Sequence, residues 1–285
     1  MLNGHLLGIY EKAFPQDWSL ADILRAAKEL GFDFVEISID EKDERLERLD
    51  WDENRRTQLH AAMRETKMFF QSMCLSGHRR FPFGSKDETV RARAYDIMEK
   101  AVKFAHEFGI RVIQLAGYDV YYEKSTPESL ELFYEGLRWS SQIAQKYQVM
   151  LAIEIMDTKL LNSISRYMEI KKNLPSPWLK VYPDCGNLTA WGNDVSAELE
   201  MGKDEIIAMH LKDTLAVRDD FPGKFKEVEF GSGCVNFIDV FKKMRELEYC
   251  GPYMIEMWHQ QGADPYKAIR RAKDFIEKKY TLSLE

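Results

Sequence analysis

Short apolar runs alternate with longer amphipathic stretches along almost the whole chain. In the amphipathic stretches, apolar residues recur at helical spacing, as in SLADILRAAKELG, where Ser19 is placed to begin a helix and Gly31 to end it. Strands that alternate with helices pair in parallel, so the pattern predicts an α/β fold. The apolar runs predict eight strands, at 6–12, 32–39, 67–76, 110–118, 149–156, 179–184, 206–213 and 252–258.

Eight strand–helix units in 285 residues match a (β/α)8 barrel, and we expect residues 1–285 to form a single TIM-barrel domain. Most of the runs are almost continuously apolar, which is typical of parallel strands covered on both faces. A doubly wound open sheet is the main alternative, but no GxGxxG motif follows the first run. The longest irregular stretch, 215–237, follows the seventh run and would lie on the catalytic face of a barrel.

Polar side chains lie near the C-terminal ends of the last four apolar runs. A charge in an apolar run is costly unless it is paired or bound to a metal, and a single buried glutamate is most often an ion-pair partner. Four such residues on consecutive barrel strands are better explained by one shared site. Three carboxylates and an imidazole suit a divalent cation, and several ions accept them. The four residues are Glu154, Asp184, His210 and Glu256.

The composition narrows the possible partners. Apolar residues make up 45% and charged residues 31%, as in soluble globular proteins, and the net charge of −7 argues against a nucleic-acid binder. No apolar stretch reaches the ~18 residues of a membrane span, and the N-terminus lacks the features of a signal peptide. Four widely spaced cysteines without a CxxC pair fit reduced thiols. We therefore expect a cytoplasmic protein with no nucleic-acid or membrane partner.

Several segments of the chain resemble one family. In them the sequence is similar to the xylose-isomerase-like TIM-barrel superfamily and, within it, to the sugar-phosphate 3-epimerases. SGHRRFPFGS is the most specific segment, whereas the four acidic and imidazole residues are shared by many sugar isomerases. The resemblance covers nearly the whole chain. Its segments are GIYEKAFP, GFDFVEISIDE, MCLSGHRRFPFGS, QLAGYDVYYE, AIEIMDT, YPDCGNLTAWGND, HLKDT, FGSGCVNF and EMWHQ.

The resemblance implies an isomerase of carbohydrate metabolism that interconverts L-xylulose 5-phosphate and L-ribulose 5-phosphate, as in L-ascorbate degradation. It implies one divalent ion, zinc or manganese, held by Glu154, Asp184, His210 and Glu256. The two glutamates would also move the C3 proton, one removing it from one face and the other returning it to the opposite face. An enediolate stabilised by the metal would lie between these steps, and the two glutamates would differ in pKa.

The expected substrate contacts lie at other strand ends and in two loops. Glu36 and His78 would meet sugar hydroxyls, while the arginines after the third run and the backbone of a GSG turn would bind the phosphate. Asn187 stands where several free-sugar epimerases have histidine, which argues against a free ketohexose as substrate. The expected substrate-binding residues are Glu36, His78, Arg79, Arg80, Asn187, Lys212, Ser232 and Gly233.

Three other functions are alternatives to an epimerase. An aldose–ketose isomerase, such as a hexulose-6-phosphate isomerase, would use the same four residues. An abasic-site endonuclease shares the barrel but needs more histidines, and the acidic charge counts against it. A non-catalytic sugar-phosphate-binding barrel would tolerate loss of either glutamate, whereas both are present here. Aromatic residues predicted on helix surfaces make a homodimer the expected assembly.

Overall fold

The computed structural model describes residues 2–285 and contains eight strands, each inside the apolar run that predicted it. Within these residues, no helix combines the length and the apolarity that a membrane crossing needs. The strands are β1 Leu7–Tyr10, β2 Phe34–Ile39, β3 Phe70–Leu75, β4 Val112–Leu115, β5 Met150–Glu154, β6 Leu179–Tyr182, β7 Met209–Leu211 and β8 Tyr253–Ile255.

Helices follow the strands, and the predicted start and end of the first helix are confirmed. Ser19 accepts a hydrogen bond from the amide of Asp22, and Gly31 has a φ of +74° just beyond the helix. The helices are α1 Leu20–Glu29, α2 Asp43–Leu46, α3 Glu53–Thr66, α4 Glu88–Phe108, α5 Pro127–Tyr147, α6 Ile164–Asn173, α7 Cys185–Ala190, α8 Val195–Met201, α9 Phe237–Glu246 and α10 Pro265–Ser283, with short 3-10 turns at Glu11–Ala13, Glu47–Asp50 and Gly77–Arg79.

The strands form one parallel sheet in the order β6-β5-β4-β3-β2-β1-β8-β7. Its two outer strands, β6 and β7, are joined by isolated parallel bridges, Val181 to Ile206 and Asp184 to His210. The sheet therefore closes on itself, which confirms the barrel and excludes the open doubly wound sheet.

Alternate side chains of each strand point into the barrel or out toward the helices. The outward set belongs to the large core, while the inward set forms smaller clusters such as that of Tyr10, Phe34 and Met254. Gly8 faces the ring of Phe34, and a Cβ at this position would lie 2.1 Å from its Cε2 atom. Glycine therefore leaves the room that the ring fills. Other inward positions carry buried polar side chains, such as Glu36.

A buried ion network joins the end of β1 to the segment after β2. The carboxylate of Glu11 accepts two hydrogen bonds from Arg48, both 2.8 Å long, and one of 2.7 Å from the amide of Ser38. Arg45 forms an ion pair with the same carboxylate. Burial lowers the pKa of both arginines to about 10. The two buried guanidinium groups therefore share the negative charge of Glu11.

Candidate metal and active site

The four residues predicted to hold a metal meet at the C-terminal mouth of the barrel. Glu154 is the last residue of β5, His210 lies within β7, and Glu256 directly follows β8. Asp184 follows β6 and caps α7, where its Oδ1 accepts a hydrogen bond of 2.8 Å from the amide of Asn187. All four are buried, and one potential ligand atom from each lies within 4.8 Å of the others. This quartet could hold a metal ion.

His210 turns its Nδ1 atom toward the three carboxylates of the quartet. This nitrogen lies 3.2 Å from Glu154 Oε1, 3.5 Å from Glu256 Oε2 and 3.9 Å from Asp184 Oδ2. The other ring nitrogen, Nε2, lies 3.1 Å from Glu36 Oε1. Nδ1 is therefore the atom of this imidazole that is placed to bind a metal.

Glu36 lies beneath the quartet, which differs from the expected contact with a sugar hydroxyl. Because β2 continues to Ile39, Glu36 is in the middle of the strand and its side chain is fully buried inside the barrel. It pairs with His210 and also accepts a hydrogen bond from the hydroxyl of Ser72. A carboxylate on the far nitrogen of a metal-binding histidine fixes its ring orientation.

Lys212 was expected to contact the substrate, but its ammonium group lies against two carboxylates of the quartet. Its Nζ is 2.7 Å from Asp184 Oδ2 and 3.0 Å from Glu256 Oε2. Both oxygens pair with this ammonium, and among residues 2–285 neither has a further hydrogen-bond partner of good geometry. Buried oxygens of this kind are what a coordinated cation would satisfy, and the donor set fits a divalent ion.

The quartet holds more negative charge than its surroundings fully stabilise. Burial raises the pKa of Glu154, and it raises that of Asp184 to about 8. Burial also opposes ionisation of Glu256, but the positive charges of Lys212 and His210 outweigh it and hold the pKa of this carboxyl well below its usual range. The two glutamates are thus shifted in opposite directions, in agreement with the expected difference in their pKa values.

A cavity opens above the quartet, and its wall carries several cationic side chains. Among its lining residues are Glu154, Glu256 and Asn187, together with Trp258 on the apolar side. Two lysines lie near the ring of Trp258, since Lys212 Nζ is 5.7 Å and Lys226 Nζ is 5.9 Å from its centroid. The cations that line the cavity are Lys12, Arg79, Lys212 and Lys226.

The two arginines expected to bind phosphate lie in different places. Arg79 lines the cavity, with its guanidinium 4.7 Å from the ring centroid of Tyr121 and its Nη1 3.6 Å from Glu41. Its buried Nε has no hydrogen-bond partner among residues 2–285. Arg80 is exposed and pairs with Asp43 at 2.7 Å. Only Arg79 of this pair is among the residues that line the cavity.

The GSG turn already uses the donors that were expected to bind phosphate. The amides of Gly231 and Gly233 donate to Asp213 Oδ2 at 2.8 and 3.0 Å, and Ser232 is exposed. Asp213 is buried just beyond β7, and a buried carboxylate needs such donors. A Cβ on Gly233 would lie 2.1 Å from Asp213 Oδ1, so the turn fits closely around this carboxylate.

His78 is buried in the 3-10 turn after β3 and is not among the cavity-lining residues. Its Nε2 lies 3.1 Å from the carbonyl oxygen of Ala94, and its ring centroid lies 4.6 Å from that of Phe83. The contact with Ala94 ties the turn to α4. His78 was expected to meet a sugar hydroxyl, but it is not one of the residues that line this cavity.

Burial lowers the pKa of His78 from 6.5 to about 4. The unfolded chain therefore binds a proton below pH 6.5 that the folded chain excludes, so this stability is lost as the pH falls from about 6.5 toward 4. We expect His78 to account for a loss of roughly 2 kcal/mol in the free energy of unfolding between pH 7 and pH 5. Denaturant unfolding of wild type and His78→Gln, both treated with chelator, isolates this term. Parallel pH profiles for the two proteins would contradict it.

Some residues of the site were not found from the sequence. Gln114 donates a hydrogen bond to Glu154 from β4, and it could have been found as the polar residue within the apolar run VIQL. Asp157 and Lys226 also line the cavity, but they belong to loops in which polar residues are ordinary.

Known proteins resemble this chain over nearly its full length. A family model described as Xylose isomerase-like TIM barrel matches residues 24–279. A protein of Escherichia coli strain K12 named "Putative L-ribulose-5-phosphate 3-epimerase SgbU" is 54% identical over 276 residues, which cover 97% of this chain and 96% of that protein. The L-ribulose-5-phosphate 3-epimerase UlaE of Escherichia coli strain SE11 is 51% identical over 271 residues, covering 95% and 93%.

Solved structures share the same fold at low sequence identity. An L-ribulose 3-epimerase superposes with a TM-score of 0.78 at 16% identity, covering 98% of this chain and 95% of its own. The 3-keto-D-glucoside 4-epimerase YcjR of Escherichia coli superposes with a TM-score of 0.75 at 18% identity, covering 96% and 99%. The closed parallel barrel, the family match and the relatives above 50% identity agree. This chain therefore belongs to the xylose isomerase-like TIM barrel family.

Proposed function

We propose that this protein is a metal-dependent 3-epimerase that interconverts L-ribulose 5-phosphate and L-xylulose 5-phosphate. The observation that carries the proposal is the quartet itself, in which two glutamates from β5 and β8 meet in one buried cluster below a cation-lined cavity. The names of the relatives above 50% identity supply the substrate and the carbon that is inverted.

Glu154, Asp184, Glu256 and Nδ1 of His210 would hold the metal. Buried oxygens of Asp184 and Glu256 that pair with Lys212 but have no hydrogen-bond partner of good geometry among residues 2–285 support this assignment. When bound, a divalent ion supplies a Lewis acid that stabilises the negative charge developing on the sugar oxygens as the C3 proton leaves. Zinc and manganese both accept carboxylate and imidazole ligands, and both remain candidates.

Glu154 and Glu256 are the residues proposed to move the C3 proton. They come from β5 and β8, which are separated by two strands around the barrel, so they approach the cavity from different sides. Gln114 orients the carboxylate of Glu154, and Lys212 holds that of Glu256. One carboxylate would remove the proton from one face of C3, and the other would return a proton to the opposite face, so that the carbon is inverted.

The cationic wall of the cavity is proposed to bind the phosphate. Lys12, Arg79 and Lys226 line the cavity, and charge-assisted hydrogen bonds from such groups are the usual way to hold a phosphate. Arg79 is the strongest of these candidates because its Nε is unpaired and its contact with Glu41 is long. Arg80, Ser232 and Gly233 were expected in this role, but their contacts lie elsewhere.

Turnover in deuterated water tests the proposal. Metal-loaded protein is incubated with L-ribulose 5-phosphate, and both epimers are analysed for the position of the label. Deuterium at C3 alone, together with formation of L-xylulose 5-phosphate, is the expected result. Deuterium at C1 or C2 would instead indicate an aldose–ketose isomerase, and binding without any exchange would indicate a non-catalytic barrel. D-Ribulose 5-phosphate and unphosphorylated L-ribulose serve as controls for stereochemistry and for the phosphate.

Other properties predicted from the sequence stay predictions. They are the single-domain organisation, the homodimer, the cytoplasmic location and the absence of a nucleic-acid partner.

Removing the charge of Glu36 is expected to weaken metal binding without removing a ligand. In Glu36→Gln, the ring of His210 loses the carboxylate that orients it, so metal affinity should fall by about 10- to 100-fold. Competition with a chromophoric chelator measures this affinity. Glu65→Gln, on the exposed face of α3, is the control that should match wild type. An unchanged affinity in Glu36→Gln would show that this carboxylate does not support the site.

A further inference from the structure

Two oxygen atoms in the wall of the cavity have no hydrogen-bond partner among residues 2–285. They are Oδ1 of Asp157 and Oδ1 of Asn187, and both atoms are buried. Both residues line the cavity that Glu154 and Glu256 also line. A buried acceptor without a donor costs about 1–3 kcal/mol. Since both atoms can only accept, the partner they lack is a group that donates.

The amide of Asn187 is held so that its oxygen is the free atom. Its Nδ2 donates a hydrogen bond of 2.8 Å to the carbonyl oxygen of Ile155, and its backbone amide donates to Asp184 Oδ1. The side chain is 2% exposed, so neighbouring residues rather than solvent set its orientation. The barrel therefore presents a fixed acceptor on the β6 side of the cavity.

Asp157 lies three residues beyond Glu154, in the segment that follows β5. The four cations that line the cavity make no ion pair with it, although Lys212 pairs with two other carboxylates. Because none of these cations pairs with it, the carboxylate does not serve to neutralise the positive charge of the cavity wall. Its buried, unpaired oxygen on the cavity wall gives it the same role as Asn187, an acceptor for a neutral donor.

We propose that Asp157 and Asn187 each accept a hydrogen bond from a different hydroxyl group of the substrate that does not react. This inference rests on the proposed function. The oxygens on C2 and C3 face the quartet and the phosphate on C5 faces the cations, so the hydroxyl groups that remain are those on C1 and C4. Held by these two acceptors, the two hydroxyl groups orient the C3 hydrogen toward Glu154 or Glu256. A ketopentose phosphate that lacks one of them leaves one acceptor unpaired, which gives the site its selectivity.

The variant Asp157→Asn tests the proposal because it keeps the size of the side chain, removes the charge that strengthens a hydrogen bond from a hydroxyl group, and replaces one acceptor oxygen by a donor. We expect its kcat/KM for L-ribulose 5-phosphate to fall by about 10- to 100-fold, with metal content and melting temperature unchanged. Asp219→Asn, in the exposed loop after β7, is the control that should match wild type. If Asp157→Asn does not fold, Asp157→Ser serves in its place. A variant that equals wild type on this substrate overturns the proposal.

Analogues of the substrate that lack one hydroxyl make the test specific. Wild type and Asp157→Asn are compared on the 1-deoxy and 4-deoxy ketopentose 5-phosphates. On one of them, wild type should lose the factor that the variant loses on the full substrate, and the variant should lose nothing further. Losses that multiply on both analogues would show that Asp157 contacts neither hydroxyl. Exchange at C3 by wild type reports on the proposed function by itself, whereas the ratio of variant to wild type reports on Asp157.

Discussion

Glutamine in place of either Glu154 or Glu256 is expected to lower the rate of epimerisation by about 10²- to 10⁴-fold. Glutamine keeps the shape of the side chain and one ligand oxygen, but it neither accepts nor returns a proton at neutral pH. The rate is measured by coupled conversion of L-ribulose 5-phosphate, with metal content determined on the same samples. If either variant retains its metal and epimerises at the wild-type rate, the proposal of two proton-transfer residues fails.

Isotope exchange separates the two roles of these glutamates. A variant that lacks one of them but holds its metal should still exchange the C3 hydrogen of one epimer with deuterated water, without inverting it. Each variant should do so with the epimer whose hydrogen faces the remaining glutamate. Asp184→Asn is the matched control, since this residue is proposed to bind the metal alone, and excess metal should restore epimerisation in it. Exchange of both epimers by one variant would contradict the assignment.

Glu11→Gln is expected to destabilise the protein by about 3–5 kcal/mol. The change leaves Arg45 and Arg48 buried without their counter-charge, and an uncompensated buried charge is among the most destabilising single changes. The free energy of unfolding is measured by denaturant titration. Part of this loss in stability is expected because the end of β1 is held less firmly to the segment after β2.

An exposed pair provides the comparison for Glu11. Glu47 pairs with Arg55 at 2.7 Å, but both side chains are about half exposed. Glu47→Gln should cost less than about 1 kcal/mol, because water replaces the lost partner. Similar losses in the two variants would show that the network of Glu11 is better hydrated than its burial indicates.

The strands and the metal quartet could be predicted from the sequence because burial makes them conspicuous. A glutamate or histidine in an apolar run is rare, and strand order alone brings β5, β6, β7 and β8 together at one edge. The same rule would have found Gln114, which is equally isolated in its run. Polar residues that are isolated exceptions in separate apolar runs are thus brought together by the barrel into one cluster.

The substrate contacts were harder to predict because they depend on strand ends and on competing partners. Glu36 was placed at the rim, but β2 continues for three residues beyond it and carries it below the site. The amides of the GSG turn are taken by Asp213, a residue distant enough in sequence that no local pattern links them. Arg79 and Arg80 are adjacent in sequence, yet Arg79 lines the cavity whereas Arg80 pairs with Asp43.

The junction between β6 and β7 gives the quartet a mechanical role. These strands are joined by isolated bridges, one of which pairs Asp184 with His210, and by a hydrogen bond of 2.9 Å from the His210 amide to the carbonyl oxygen of Pro183. All other neighbouring strands pair along ladders of three or more residue pairs, with one register shift, between β2 and β3. An ion bound by Asp184 and His210 would therefore add a link between β6 and β7, where the barrel is joined by isolated bridges. Metal binding would then also stabilise the closed form of the barrel.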